Sequence, residues 1–574
     1  MRDAIVQARW ADVLIASLAD AGVRHLVVCS GSRSTPLVLA ATRLGRLQLH
    51  DVLDERAAAF FALGIVRVTG RPAALVCTSG TALAHFLPAA LEAAHSYLPL
   101  VIVSADRPRG LQARGSNQTI DQLGLLSSAA RLTVDTGEAA EDEASLRGLA
   151  HTVQRAVAAS LAPTPGPVHL NVPLYKPLEP PADYAPALGP RGPRFVAGEV
   201  RATEEALDEA AGAIASTERG LIVAGPAAIG NRNSRRAVEA LIDVSGFPAI
   251  LEATSQLAYT GRAVPGQVLS AETVLDAAAA TGEDLPELIV QLGATPTSGA
   301  LERILARGGI ERIAVHPYGY FDEGNHSTTV IQSEVPLFAE AVTQRLARRG
   351  PSAFAERWVR AGRRAHALAK EVSEASFSEA AVVRAVSSHL REGELFVVGN
   401  SLPVRLLEYF APPVVADVAV LSQRGVSGID GLVSGAAGAC KASGRRTTLL
   451  LGDQSLRHDF GALVLCRNLP LRVVVVNNGG GRIFELLPVG AERFERERTR
   501  HIVMEERGSL SESVRALGFA AECVSSLEAL EAALTRSEGC DGPVFIEAQV
   551  PAHGARQALS ALRARFVGGR RWSD

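Results

Sequence analysis

Asp453 and Asn478 are the residues whose types and spacing first point to chemistry. Asp453 follows Gly452 at the end of an apolar run (447–451), and Asn477-Asn478 close a second run (471–476) just before three glycines. Asn477 stands 24 positions after Asp453. A carboxylate and an amide oxygen, with a carbonyl from Gly479 or Gly480, suit a hard cation such as Mg2+, which usually keeps a phosphate or water as well. The glycines let backbone approach such a phosphate with no Cβ in the way. Gly-Asp and Asn-Asn-Gly are also ordinary strand-to-loop turns. What distinguishes the pair is its matched placement.

The elements that must position these residues are a strand, a helix-compatible segment and a second strand. Two buried parallel strands joined by a right-handed crossover put their carboxyl ends on one edge of the sheet, where open α/β folds bind ligands. The same pattern fills the chain. Predicted strands at 25–29, 74–77, 100–103 and 168–172 run into the turns SGSRSTP, TSGTA, SADRP and NVP. Strands at 395–398, 449–451, 473–476 and 544–548 run into GNSLPVR, GDQS, NNGGG and QVP. GPVHLNVP (166–173) and GPVFIEAQVP (542–551) read as one closing strand used twice.

Between the two sets, KPLEPPADYAPALGPRGPRF (176–195) is a proline-rich linker, followed by a third unit with strands near 221–224, 249–252, 288–292 and 313–316. A polar helical stretch at 351–375 leads to the last domain. The expected fold is therefore α/β: three doubly wound parallel-sheet domains over 1–180, 195–350 and 375–574, the first and third alike.

The 574 residues carry 58 basic and 61 acidic groups, a formal net charge of −3, which gives no reason to expect a nucleic acid or an anionic membrane as partner. Only Lys176, Lys370 and Lys441 are lysines, so a given arginine is weak evidence for an anion site. Six cysteines without CxxC spacing read as reduced, mostly buried thiols of a cytoplasmic protein. The N-terminus reads as an amphipathic helix, not a signal peptide, and the longest uncharged window (72–91) as strand, turn and helix, with no membrane span. Neither GxxxxGK[ST] nor GxGxxG is present.

The GDQ…NN pair resembles the diphosphate–magnesium signature of thiamine diphosphate (ThDP) enzymes, with Gln454 where that signature has a second glycine. The order of parts is that of the ThDP-dependent decarboxylase and carboligase superfamily: pyrimidine-binding, central and diphosphate-binding domains. Within it, eight runs resemble the menaquinone-pathway family of 2-succinyl-5-enolpyruvyl-6-hydroxy-3-cyclohexene-1-carboxylate synthases. They are GSRSTPLVLAA (31–41), DERAAAFFALG (54–64), TSGTA (78–82), SADRP (104–108), GSNQTIDQ (115–122), VGNSLPVR (398–405), QRGVSGIDG (423–431) and VVNNGGGRIFELLP (475–488).

The resemblance implies ThDP and Mg2+ (or Mn2+) as cofactors. Gly452, Asp453, Ser455, Ile429, Asn478 and Gly480 would bind the cofactor, with Asp453, Asn478 and Gly480 on the metal. Glu55 would be the carboxylate at the aminopyrimidine; by position alone it could equally be an acidic first-turn residue opposing a helix dipole. Ile429 would prop the bent cofactor, or be a core isoleucine. Ser32, Arg33, Arg107, Asn117 and Gln118 fall on the acceptor side, and Ser401, Arg405 and Arg424 on the donor side.

The reaction implied is decarboxylation of 2-oxoglutarate and addition of the succinyl carbanion to isochorismate, in a homodimer at least and a homotetramer as the fuller assembly. One departure stands out. In ATPTSGALERIL (294–305) Gly299 and Ala300 replace a lysine and arginine common in the family, so Arg303 or another arginine substitutes, or acceptor binding differs. The rival readings are another ThDP-dependent 2-oxo acid decarboxylase or lyase, and a catalytically silent binding protein with the same fold.

Overall fold

The computed structural model describes residues 2–186, 189–413, 416–506, 508–568 and 572. Among the described residues, three sheets, every pairing within them parallel, hold 17 strands. In the first, β1 (His25–Val28), β2 (Gln48–Asp51), β3 (Ala73–Cys77), β4 (Leu100–Asp106), β5 (Leu132–Asp135) and β6 (Pro167–Pro173) run in the order β2-β1-β3-β4-β6-β5. The second has β7 (Gly220–Ala224), β8 (Ala249–Leu251), β9 (Leu288–Leu292), β10 (Glu311–Val315) and β11 (Thr329–Ile331), ordered β11-β10-β9-β7-β8. The third has β12 (Leu395–Val398), β13 (Ala419–Leu421), β14 (Thr447–Gly452), β15 (Leu471–Asn477), β16 (Ala520–Val524) and β17 (Val544–Gln549), ordered β13-β12-β14-β15-β17-β16.

The first and third sheets thus share one topology, as their matching closing strands predict. In each, strand order reverses between the first and third strands, β1/β3 and β12/β14. A doubly wound sheet opens its ligand crevice at such a switch point. The segments that follow these strands carry GSRSTP and TSGTA in one sheet, and VGNSLPVR and GDQS in the other.

All twelve expected strands are present. Central strands form because their apolar runs are buried on both faces: β3, β4, β6 and β15 are buried at every residue. Outside residues 187–188, which lie beyond the described set, the proline-rich stretch 176–195 has no helix or strand. The polar helix is Ala353–Ala375, capped by Ser352. Among the described residues, no helix is long and apolar enough to cross a membrane. Cys29, Cys77, Cys440 and Cys466 are buried, Cys540 is half-buried and Cys523 is exposed.

By contacts the chain forms two compact units. One comprises Met1–Gly198, Gln423–Gly444 and His458–Arg467; the other comprises Glu199–Ser422, Arg445–Arg457 and Asn468–Asp574. In the first unit, the helix Glu55–Thr69 packs on the helix Leu432–Ser443 through glycine. A Cβ on Gly64 would lie 2.0 Å from Gly435 O, and one on Gly438 2.0 Å from Phe61 O. This close approach fixes the Glu55 helix against the segment that follows QRGVSGIDG.

Candidate active site

In the second unit, Asp453 opens the short helix Asp453–His458 directly after β14, and Asn478 follows β15, the hydrogen-bonded neighbour of β14. Asp453 is 2% and Asn478 7% exposed. Asn478 Nδ2 donates to Glu379 Oε1 at 2.8 Å. Asp453 Oδ2 and Asn478 Oδ1 are buried with no hydrogen-bond partner among the described residues. Burial pushes the Asp453 carboxyl up to about 6 and that of Glu379 up to about 7, the second opposed by the Asn478 hydrogen bond. Buried oxygens rarely go without a partner. Two of them, from a carboxylate and an amide, form the donor set of a hard divalent cation, so these residues fit Mg2+. Ser455 is buried in the first turn of the same helix, and Gly452 ends β14.

A cavity of about 590 Å3 lies in this unit, with Ser298, Gly299, Arg405 and Glu485 in its wall. It adjoins the Asp453–Asn478 edge through Arg482, whose Nε donates to Asn478 O at 3.2 Å and whose Nη1 meets Glu485 at 2.9 Å. Arg405 is exposed in the first turn of the helix Leu402–Phe410, and its Nη1 donates to Ser401 O at 2.8 Å. Ser401 is held at φ 72, a conformation that costs a non-glycine residue about 1–3 kcal/mol and gathers at functional sites.

In the first unit, Ser32 and Arg33 lie in a 3-10 turn after β1. Arg33 is 7% exposed and donates to Leu174 O at 2.7 Å. Burial and then the nearby Arg107 lower its pKa, against the pull of Asp106. Arg107 Nη1 donates to Ser79 Oγ at 2.6 Å, and Gln118 Nε2 to Ser79 O at 2.9 Å. Gln118, like Ser401, has a positive φ, here 58. Arg107 and Gln118 therefore meet at Ser79, at the carboxyl edge of β3 and β4, with Arg33 in the field of Arg107; Ser32 and Asn117 are exposed nearby in sequence, with no side-chain hydrogen bond among the described residues that ties them in.

Glu55 is half-buried at the first position of its helix, with Asp54 as the cap accepting from Ala57 N at 3.0 Å. Its carboxylate adds to burial in raising the thiols of Cys29 and Cys77. Ile429 is 36% exposed, which removes the reading as a core isoleucine. Its loop is pinned by Glu92, which accepts from Gly425 N at 3.0 Å and Val426 N at 2.7 Å and pairs with Arg67 at 2.5 Å. Arg424 lies in the same loop, half-buried.

Residues 8–125 match the family described as "Thiamine pyrophosphate enzyme, N-terminal TPP binding domain" (thiamine pyrophosphate is ThDP). Three curated relatives bear the name 2-succinyl-5-enolpyruvyl-6-hydroxy-3-cyclohexene-1-carboxylate synthase. That of Sorangium cellulosum is 39% identical over 98% of this chain and 95% of its own. That of Halorubrum lacusprofundi is 37% identical over 98% of each. The Myxococcus xanthus relative is 38% identical over 85% of each. The chain belongs to the 2-succinyl-5-enolpyruvyl-6-hydroxy-3-cyclohexene-1-carboxylate synthase family.

In this member of the synthase family, Arg303 lies one turn along the helix Gly299–Leu305 from Gly299. Its guanidinium pairs with Asp276 at 2.6 Å and donates to Gly299 O at 3.2 Å, and it is absent from the cavity wall. Ala300 is buried in the helix Gly299–Leu305. Several supporting residues were not singled out by sequence. Glu379 and Glu92 lie in helices with no motif to mark them. Gln122 ends the GSNQTIDQ run; it accepts from Gly80 N at 2.9 Å and donates to Ser104 and Asn171, joining a buried network with Asp106 and His169. Its place in a quoted motif was the one available signal.

Proposed function

We propose that this chain is a ThDP- and Mg2+-dependent carboligase that removes CO2 from 2-oxoglutarate and joins the remaining succinyl unit to isochorismate. The product is 2-succinyl-5-enolpyruvyl-6-hydroxy-3-cyclohexene-1-carboxylate. The observation that supports this reading most is the pair of buried, unpartnered oxygens on Asp453 and Asn478 in a member of this family. When bound, ThDP supplies an ionisable thiazolium carbon and an electron sink for decarboxylation.

Asp453, Asn478 and the Gly480 carbonyl would hold the cation, and Gly452 and Ser455 would line the same turn. Glu55 would hold a proton at the cofactor's pyrimidine nitrogen. Ile429, bare and apolar, would brace the cofactor. Arg33, Arg107 and Gln118, with Ser32 and Asn117, offer the cations and planar donors that the acceptor's carboxylates need, and Ser401, Arg405 and Arg424 those for the donor. A cytoplasmic homodimer, or a tetramer of two such dimers, goes with this reading, and light scattering measures the assembly.

The test is an absorbance assay of the purified chain with ThDP, Mg2+ and 2-oxoglutarate, following loss of isochorismate beside a control lacking ThDP. ThDP-dependent consumption of isochorismate with CO2 release is the expected result. CO2 release indifferent to isochorismate would move the reading to a 2-oxo acid decarboxylase, and no reaction would overturn it.

A further inference from the structure

The cavity in the second unit carries six charged side chains, Glu272, Glu408, Glu485, Arg405, Arg556 and Arg563, and they do not cancel. Glu485 is matched by Arg482 at 2.9 Å and His553 at 2.8 Å. Arg563 pairs with Asp276 at 2.7 Å, a carboxylate it shares with Arg303 at 2.6 Å. Glu408 accepts from Ala253 N at 2.9 Å, and burial together with Glu252 and Glu272 pushes its carboxyl well up, towards the neutral form. Glu272 is raised by burial to about 7 and is only partly charged near neutrality.

Two cations of the wall, Arg405 and Arg556, make no ion pair among the described residues. Arg405 lies in the field of Glu272 and Glu252, but its one side-chain hydrogen bond goes to a neutral carbonyl, Ser401 O. Arg556 is exposed in the first turn of the helix Gly554–Val567 and has no hydrogen-bonded or acidic partner among the described residues. That turn contains no acidic residue. A cation at a helix N-terminus adds to the positive end of the macrodipole, an arrangement that an anion in front of it would relieve. Across the cavity Gly299 contributes no side chain, and a Cβ there would meet only Arg303, at 3.7 Å. The rest of the wall combines Leu402, Leu406, Leu486 and Leu559 with the hydroxyl side chains of Thr297, Ser298, Tyr409 and Ser560.

We propose that Arg556, together with Arg405, binds a carboxylate of one of the two substrates in this cavity, with the substrate's carbon skeleton against Leu402, Leu406 and Leu559. Guanidinium groups grip carboxylates in a planar, two-pronged way that an ammonium cannot reproduce. Arg556 is thus a substrate-binding residue supplied by the C-terminal helix. Which substrate it serves rests on the carboligase reading; the anion site itself does not.

The experiment compares wild type, Arg556→Gln and Arg556→Lys as full-length protein with ThDP and Mg2+. Calorimetric titration with glutarate, a dicarboxylate that cannot react, reads the anion site without turnover. Steady-state KM values for 2-oxoglutarate and isochorismate read the substrate. Loss of a charge-assisted hydrogen bond predicts glutarate binding weakened roughly tenfold or more in Arg556→Gln, with partial recovery in Arg556→Lys. It also predicts that one KM rises by a similar factor while kcat changes little, and the KM that moves names the substrate. A wild type that binds glutarate but turns over neither substrate would overturn the carboligase reading alone. Glutarate affinity and both KM values within twofold of wild type in Arg556→Gln, or no glutarate binding by wild type, would overturn the role of Arg556.

Discussion

Asn478 donates its amide nitrogen to Glu379 Oε1 at 2.8 Å, and that bond fixes which end of the amide is left over. With Nδ2 committed to a buried carboxyl, the unpartnered atom is Oδ1, the end a cation can use. Glu379 is 1% exposed and opens the helix Glu379–Ser388, so its position is set by the packing of that helix rather than by a mobile side chain. A residue far from Asn478 in sequence thereby decides whether the end of β15 presents an acceptor or a donor.

Glu379→Ala should therefore weaken Mg2+-dependent ThDP binding by roughly 10–100-fold, the usual cost of removing an outer-shell partner. Glu379→Gln, whose amide oxygen can still accept from Asn478, should stay near wild type. Asp453→Ala, which removes a proposed ligand outright, sets the scale as complete loss of Mg2+-dependent retention. Calorimetry with and without Mg2+ checks all three. Equal affinities for Glu379→Ala and wild type would show that Asn478 needs no orienting partner.

Glu55→Gln should bind ThDP as wild type does and lose turnover by on the order of 10²-fold or more, because the amide cannot hold and release the same proton. Fluorescence titration with ThDP and the isochorismate assay separate the two effects. Near-normal turnover would remove Glu55 from the proton path; loss of cofactor binding would assign it to binding alone.

Every central strand was legible in the sequence, while of the six edge strands among the described residues only β8 was. The strands not foreseen are β2, β5, β11, β13 and β16, each at the rim of its sheet. β5 and β16 show why: β5 is half-buried throughout, and β16 has a single buried residue, so neither carries the continuous apolar run that marks a buried strand. β13 and β11 are only three residues long, which leaves little for a period to register, although β8 of the same length was found. The same division holds at the site. Asp453 and Asn478 were legible because topology alone places both at one sheet edge. Glu379, Glu92 and Arg556 were not, because each acts from a helix whose sequence carries only amphipathic periodicity, and their importance comes from what the fold sets beside them.

Gly438→Ala tests the glycine contact beneath Glu55. The added methyl would fall 2.0 Å from Phe61 O, which is backbone in the helix that begins with Glu55 and cannot swing aside. Overpacking of this kind costs about 1–3 kcal/mol, and the apparent melting temperature should drop by several degrees. Gly212→Ala, in the helix Glu204–Ser216 with nothing within 4 Å of the new Cβ, is the contrast. It should be neutral or slightly stabilising, since alanine restricts the unfolded chain. If both variants melt together, the two helices are not held as closely as described.

His169 carries a pH prediction. The ring is fully buried, its Nε2 lies 2.7 Å from Ser104 Oγ, and burial pushes its pKa from the ordinary 6.5 down to about 4. A group whose folded pKa is depressed contributes stability that is complete above the unfolded value and is lost as pH falls towards the folded one. The window is therefore pH 6.5 down to 4. Glu272 and Glu379, with raised carboxyls, act in the opposite sense, losing stability as pH rises towards about 7. A single wild-type melting curve mixes the two. The difference between wild type and His169→Gln isolates the ring, because His50, His316 and His366, also pushed down to about 4, are common to both proteins. The advantage of wild type should be constant above pH 6.5 and shrink steadily below it. A difference that stays flat to pH 4 would mean the imidazole takes up its proton inside the folded protein as easily as in water, which a buried ring bonded to Ser104 does not allow.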